Sequence, residues 1–234
     1  MNIDKVDKEQ LVVDGNNLFE IQKQSIKALK FKKVKGGWEV SANSRAKEMR
    51  QIIIPNLYKD KPVVSISCEG FSELHNLIEV KIPNSVTDIG YSAFAYCDSL
   101  TEVTIPNGLK HISYKMFYEC KSLMTVKMPN HITSIGVYAF AYCDSLLSVS
   151  MPYNLKSIGY KTFYECRSLN NIVLPNNLTI IGANAFTGCR KMKNLVFKNI
   201  YGWYRESDPI NPLRLEDPSS SAQLIKDSGI WQKS

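Results

Sequence analysis

Five cysteines stand 23 residues apart, at positions 97, 120, 143, 166 and 189. Thiols are nucleophiles, metal ligands and disulfide partners, so this column is the first place to look for chemistry. A fixed period of this length marks a stacked-repeat architecture, in which each copy forms one coil. Neighbouring thiols would then lie about 4.8 Å apart, wider than the roughly 3.5–4.5 Å Cβ separation of a disulfide. A straight line of ligands does not converge as a tetrahedral metal site requires. The cysteines therefore read as small buried groups filling one core position. Cys68 stands outside the column. His75, His111 and His131 are the only histidines, and they occupy three different repeat positions with no base–nucleophile arrangement. There is no glycine-rich phosphate loop, no paired Cys-x-x-Cys and no metal-spaced histidine pair. No catalytic residue, cofactor or metal is assigned, and an enzyme ranks last among the functional classes.

The elements that carry the column share its period. Phenylalanine recurs at 71, 94, 117, 140, 163 and 186, and proline at 83, 106, 129, 152 and 175. One coil places apolar residues at Val86, Ile89, Ala93, Phe94, Cys97, Leu100, Val103 and Ile105, and later coils repeat these classes. Val103-Thr104-Ile105 alternates as a strand does, with Glu102 and Thr104 outward, and Pro106 ends it because proline cannot donate to a ladder. Gly90, Gly136, Gly159 and Gly182 mark a tight bend. Ser113 stands at the same position, so the bend cannot require positive φ in every coil. A single coil cannot bury its own apolar face, whereas stacking encloses each Phe between two others. Truncating Phe140 in mid-array is expected to cost far more than truncating Phe71 at its end.

A longer period overlies the first. Residues 93–100 recur unchanged at 139–146, and 114–123 closely match 160–169, which points to a duplicated unit of two coils. Asp98, Lys121, Asp144 and Arg167 share one repeat position, so stacking sets opposite charges side by side.

Residues outside the repeat define the ends. Residues 1–50 are expected to form an N-terminal cap. Within it, Leu29–Val34 and Trp38–Ala42 flank Gly36-Gly37 as a hairpin, while residues 11–30 suit either a strand pair or a helix. Residues 51–197 form the array of about six coils, with Asn56 to Lys61 bulging as a surface loop. Residues 198–234 are expected to form a C-terminal cap with a short serine-capped helix near 217–226. Net charge is +7, carried mostly by residues 1–50, and the near-neutral repeats lack the clustered basic stripe of a nucleic-acid binder. No apolar run reaches the length of a membrane span. The polar start, Met1 to Gln10, does not read as a signal peptide. The expected location is cytoplasmic if the chain is complete, and secreted or cell-surface if a leader has been removed.

Leu100-x-x-Val103-x-Ile105-Pro106, joined to Ile89-Gly90-x-x-Ala93-Phe94-x-x-Cys97-x-x-Leu100, closely resembles the BspA-like leucine-rich repeat family of bacteria. Gly202-Trp203-Tyr204 and Asp217-Pro218-Ser219 are similar to that family's C-terminal cap. The resemblance implies a right-handed, β-rich leucine-rich repeat solenoid with short helical or turn segments on its convex side, capped at both ends. It further implies a protein often found on cell surfaces and adhering to host or matrix proteins.

Two faces could bind. Outward strand residues align in columns: Glu79 and Glu102 in one, Lys81, Thr104 and Lys127 in the next, and Met124 with Leu147 beside them. Tyr91, Tyr114, Tyr138 and Tyr160 gather on the opposite bend, joined by Tyr96 and Tyr142, and tyrosine is favoured in interfaces. The expected function is non-catalytic binding of a protein partner. The rival is a structural or self-assembling role; a monomer or a weakly self-associating chain fits either.

Overall fold

Each coil holds one alternating apolar stretch and one bend, too little to enclose a core alone, and burial comes from stacking. The computed structural model describes residues 15–198, 203–205 and 229–233. The chain begins with helix α1 (Gly15–Ala28) and the hairpin β1 (Leu29–Val34) and β2 (Gly37–Ala42). The helix settles the open choice for the residues from 15 onward, whereas Leu11 to Val13 lie outside the described residues. The hairpin closes through Lys35-Gly36, with Gly36 at φ +90°, so Gly37 opens the second strand rather than sharing the turn.

The array starts at β3 (Gln51–Ile53). The segment that follows is more ordered than a bulging loop. It forms a second hairpin, β4 (Leu57–Tyr58) and β5 (Lys61–Ile66), turned by Lys59 and Asp60, both at positive φ. Two consecutive left-handed residues make the turn whose twist matches that of a hairpin. Strand β2 then pairs in parallel with β5, joining the N-terminal hairpin to the array.

From there two strands alternate along the chain: β6 (Glu79–Lys81), β7 (Asp88–Ile89), β8 (Glu102–Thr104), β9 (His111–Ile112), β10 (Thr125–Lys127), β11 (Ser134–Ile135), β12 (Ser148–Val149), β13 (Ser157–Ile158), β14 (Asn171–Leu174), β15 (Ile180–Ile181) and β16 (Asn194–Phe197). The protein is a parallel β-solenoid of about seven turns. Strands β3, β6, β8, β10, β12, β14 and β16 form one seven-stranded sheet, and β9, β11, β13 and β15 run through a second. Strands β17 (Trp203–Arg205) and β18 (Trp231–Lys233) extend that second sheet, β18 lying antiparallel on β15 with Trp231 fully buried. The helix expected near 217–226 lies outside the described residues.

The core is a set of columns. The six phenylalanines of the repeat column, Phe71 included, are wholly buried. Their rings stack with centroids 5.4–5.5 Å apart. Phe71 is therefore not the exposed terminal member that its place in the sequence suggests.

The glycines of the bend serve close approach. None of Gly90, Gly136, Gly159 and Gly182 has positive φ. A Cβ on Gly90 would fall 2.4 Å from the Cys68 backbone nitrogen, and one on Gly182 2.4 Å from that of Tyr160. Ser113 is accommodated with its hydroxyl donating to the Gly90 carbonyl at 2.9 Å. The left-handed residues lie elsewhere, at two positions per coil: Ser92, Lys115, Tyr138, Lys161 and Asn184, then Tyr96, Glu119, Tyr142, Glu165 and Gly188. Between them alternate amides reach into the next coil, as Ser92, Phe94 and Tyr96 do by donating to the carbonyls of Tyr114, Met116 and Tyr118. Each non-glycine residue in this conformation costs on the order of 1 kcal/mol, and the inter-coil ladder offsets that cost.

Candidate interaction faces

Register in the seven-stranded sheet places the outward residues in straight columns. Glu79 opposes Glu102, Thr125 opposes Glu102 and Ser148, and Asn171 opposes Ser148 and Asn194. Lys127 opposes Thr104, and Val173 opposes Val196. Met124 and Leu147 follow one another in a third column, the Leu147 amide donating to the Met124 carbonyl at 3.2 Å. Glu79, Lys81, Glu102, Thr104, Met124, Lys127 and Leu147 thus share one face, as their spacing predicts.

The face has two halves. Toward the N-terminal end its charges are mutually engaged: the Lys127 ammonium donates to Glu102, Lys81 lies 3.9 Å from Glu79, and Gln51 donates to Glu79 at 3.0 Å. The Glu79–Glu102 contact of like charge is thereby relieved by two lysines. Toward the C-terminal end the neighbouring positions are uncharged except for Lys193, and large apolar side chains stand in the open. Met124 is 43% exposed, Leu147 52%, and Val173 and Val196 47% each. Met124 and Leu147 are neighbours in one column and Val173 and Val196 in another, and exposed apolar area on one face is characteristic of interaction surfaces.

The bend carries the second face. Tyr91, Tyr114 and Tyr160 are exposed, and Tyr138 is half-buried. The rings meet edge to face: Tyr114 with Tyr138, Tyr138 with Tyr160, and Tyr118 with Tyr96, Tyr138 and Tyr142. Tyr91 enters none of these ring pairs, and Val137 interrupts its column.

Two lysines that sequence reasoning did not single out complete this face. Lys115 Nζ lies 4.8–5.8 Å from the ring centroids of Tyr114, Tyr118 and Tyr138. Lys161 Nζ lies 4.5–5.7 Å from Tyr138, Tyr160 and Tyr164. Tyr138 is shared by both. The signal was present as Tyr-Lys-x-x-Tyr at 114–118 and again at 160–164. What it lacked was the left-handed backbone at Lys115, Tyr138 and Lys161, which aims these side chains together. The hydrogen bond from Lys161 draws the Tyr160 hydroxyl below its ordinary pKa and raises that of the lysine. Burial pushes the Tyr118 hydroxyl up, with the Glu119 carboxylate adding to it.

Beside the tyrosines runs the expected ladder of charge. Lys121 lies 3.4 Å from Asp98 and Arg167 3.4 Å from Asp144. His75 extends it, its Nδ1 2.8 Å from Asp98. Each cation also reaches a glutamate of its own coil, Glu119 or Glu165.

The cysteine column holds no reactive group. Every Sγ from Cys97 to Cys189 donates to the carbonyl of the phenylalanine one coil back, at 3.0–3.2 Å. Burial pushes Cys97 and Cys189 up to about 12 and the three between them well above 9.0. These thiols stay protonated and structural at neutral pH. The histidines are dispersed: His75 lies on the charge ladder, His111 is exposed on β9, and His131 Nε2 is 3.0 Å from the Leu109 carbonyl. Among the described residues no three potential ligands gather at a metal site, and no helix is long and apolar enough to cross a membrane.

The sequence matches the BspA type leucine-rich repeat region in six copies over residues 64–193, and the chain belongs to that family. Comparison with curated proteins gives no significant match. Among solved structures it is similar to the leucine-rich repeat protein TpLRR of T. pallidum, at 26% identity and a TM-score of 0.63, over 71% of this chain and 88% of that one. It is also similar to a leucine-rich cell surface protein of Faecalibacterium prausnitzii, at 25% identity and a TM-score of 0.58, over 75% of this chain but only 54% of that one. A leucine-rich repeat protein of Eubacterium ventriosum, 22% identical over 70% of this chain and 51% of that one with a TM-score of 0.54, shares the fold.

Proposed function

We propose that this chain is a non-catalytic scaffold that binds a protein partner on the face of its seven-stranded sheet. The observation that carries this reading is that two exposed apolar pairs, Met124 with Leu147 and Val173 with Val196, share this face with a paired charged region. An apolar centre bordered by polar groups is the usual composition of a protein interface. Parallel strands in strict register give the face a rigid backbone, so little ordering entropy opposes association. Adhesion to matrix proteins outside the cell is the finer reading, and the likeness to a leucine-rich cell surface protein supports it. The segments before β3 and after β16 are proposed as caps that cover the open ends of the stack.

The test compares binding of purified collagen, laminin and fibronectin to the wild-type chain and to Met124→Asp and Leu147→Asp, both on exposed positions. Loss of binding with an unchanged melting temperature is the expected result. Binding that survives both substitutions removes the strand face. Failure of all three proteins to bind the wild type removes the adhesion reading.

A further inference from the structure

Helix α1 lies against the first strand of the sheet. Its Ser25 hydroxyl accepts from the Ile53 amide at 2.9 Å and donates to the Ile21 carbonyl at 2.8 Å. Between the helix, the short turn at 44–48 and the start of the sheet opens a cavity of about 870 Å³, within the size range of ligand pockets. Its floor is apolar, made by Ile21, Ala28, Met49 and Ile78, and its mouth carries Lys27, Arg45 and Arg50. Among the described residues none of these three cations has a carboxylate within 4.0 Å, and the acid of the lining, Glu20, lies 3.7 Å from Lys23. On the sheet face Lys81 and Lys127 meet glutamates; at this cavity, among the described residues, the three cations do not. The cavity is also continuous with that face. Arg50 heads the column that runs through Ile78 and Thr101 to Met124 and Leu147, and Gln51 heads the column of Glu79.

We propose that this cavity anchors one end of the protein partner, a stretch in which acidic residues flank an apolar side chain, while the rest of the partner extends along the strand face. The apolar side chain covers the Ile21–Met49–Ile78 floor. The carboxylates meet Lys27, Arg45 and Arg50, where the arginines donate to them in bidentate fashion. The proposal rests on the strand-face reading and assigns the chemistry of the partner's end.

The experiment selects a random dodecapeptide library displayed on phage against the full chain, then measures the enriched peptides by fluorescence anisotropy. The measurement is repeated on the double variant Arg45→Glu/Arg50→Glu and on Lys27→Glu, all three positions being exposed. The expected result is enrichment of aspartate or glutamate next to leucine, isoleucine or phenylalanine, with affinity weakened at least about tenfold in both variants and falling as salt rises. Circular dichroism of the variants confirms their fold. Failure to enrich, enriched peptides without acids, or peptides indifferent to both variants would overturn the proposal. Saturable binding of oleate, abolished by the double variant and not accompanied by peptide enrichment, would assign the cavity to an acyl anion and also overturn it. Peptide binding that persists in Leu147→Asp, together with matrix-protein binding that persists there too, would sink the strand face and leave the cavity standing.

Discussion

Two aromatic ladders run along this solenoid and obey different rules. Inside, phenylalanine occupies every coil, and the rings lie within 4–18° of parallel. Outside, tyrosines meet at 77–87° and change position from one coil to the next. A buried ring fills a slot that the coil geometry reproduces each time, so close packing fixes both its identity and its tilt. An exposed ring answers only to its neighbours and takes the edge-to-face arrangement that its quadrupole favours. The inner ladder therefore repeats every 23 residues, and the outer pattern is free to repeat every 46. Strict periodicity marks what the fold needs, and the relaxed period marks where a surface could specialise.

The comparison breaks first at the core. Phe140→Ala should lower stability by about 3–5 kcal/mol in a denaturant titration. Phe71 is equally buried but has an aromatic partner on one side only, so Phe71→Ala should fall short of that loss by only about 1 kcal/mol. A much smaller loss at Phe71 would show that the N-terminal end of the stack opens in solution.

The thiol column gives the next effect. A folded-state pKa raised from 9.0 to about 12 means that the unfolded chain releases its protons first. Stability should be constant with respect to these groups below pH 9 and fall as pH rises from there toward 12. At pH 8 a thiol reagent should modify exposed Cys68 alone in the native protein, and all six cysteines in denaturant. Rapid native labelling of the column would contradict its burial.

Smaller effects belong to the outer ladder. Lys115→Ala or Lys161→Ala should each cost about 0.5–1 kcal/mol, the size of an exposed cation–π contact. Dispersing the tyrosine cluster with Tyr138→Ser should exceed either, because Tyr138 serves both lysines. The smallest change is expected for Glu102→Ala, within about 0.5 kcal/mol; loss of folding there would mean that the sheet face points inward.

The period, the core residues and the outward columns were legible in the sequence because each is a matter of spacing. Val103 and Ile105 are buried while Glu102 and Thr104 are exposed, as alternation along a strand demands. The cysteines were legible for the same reason. What stayed hidden depends on backbone conformation or on contacts distant in sequence. Nothing local marks Glu119 or Tyr142 as left-handed; only the last coil, with Asn184 and Gly188, uses residues suited to it. The fully buried state of Phe71 could not be read from its place at the start of the phenylalanine column. The cavity joins α1, the turn after β2 and the start of β6, three pieces that no period relates.

The alternating ladder of charge has a consequence for how such a chain can change length. Excising one coil between Asp98 and Asp144 would bring two carboxylates together where a lysine now lies between them. Excising two restores a cation beside each acid. Between Asp98 and Arg167 the solenoid therefore carries a parity: dropping the two interior coils together leaves its surface self-consistent, and dropping one of them leaves a repulsive seam at the joint, whereas Arg190, which repeats the sign of Arg167, lies beyond this stretch.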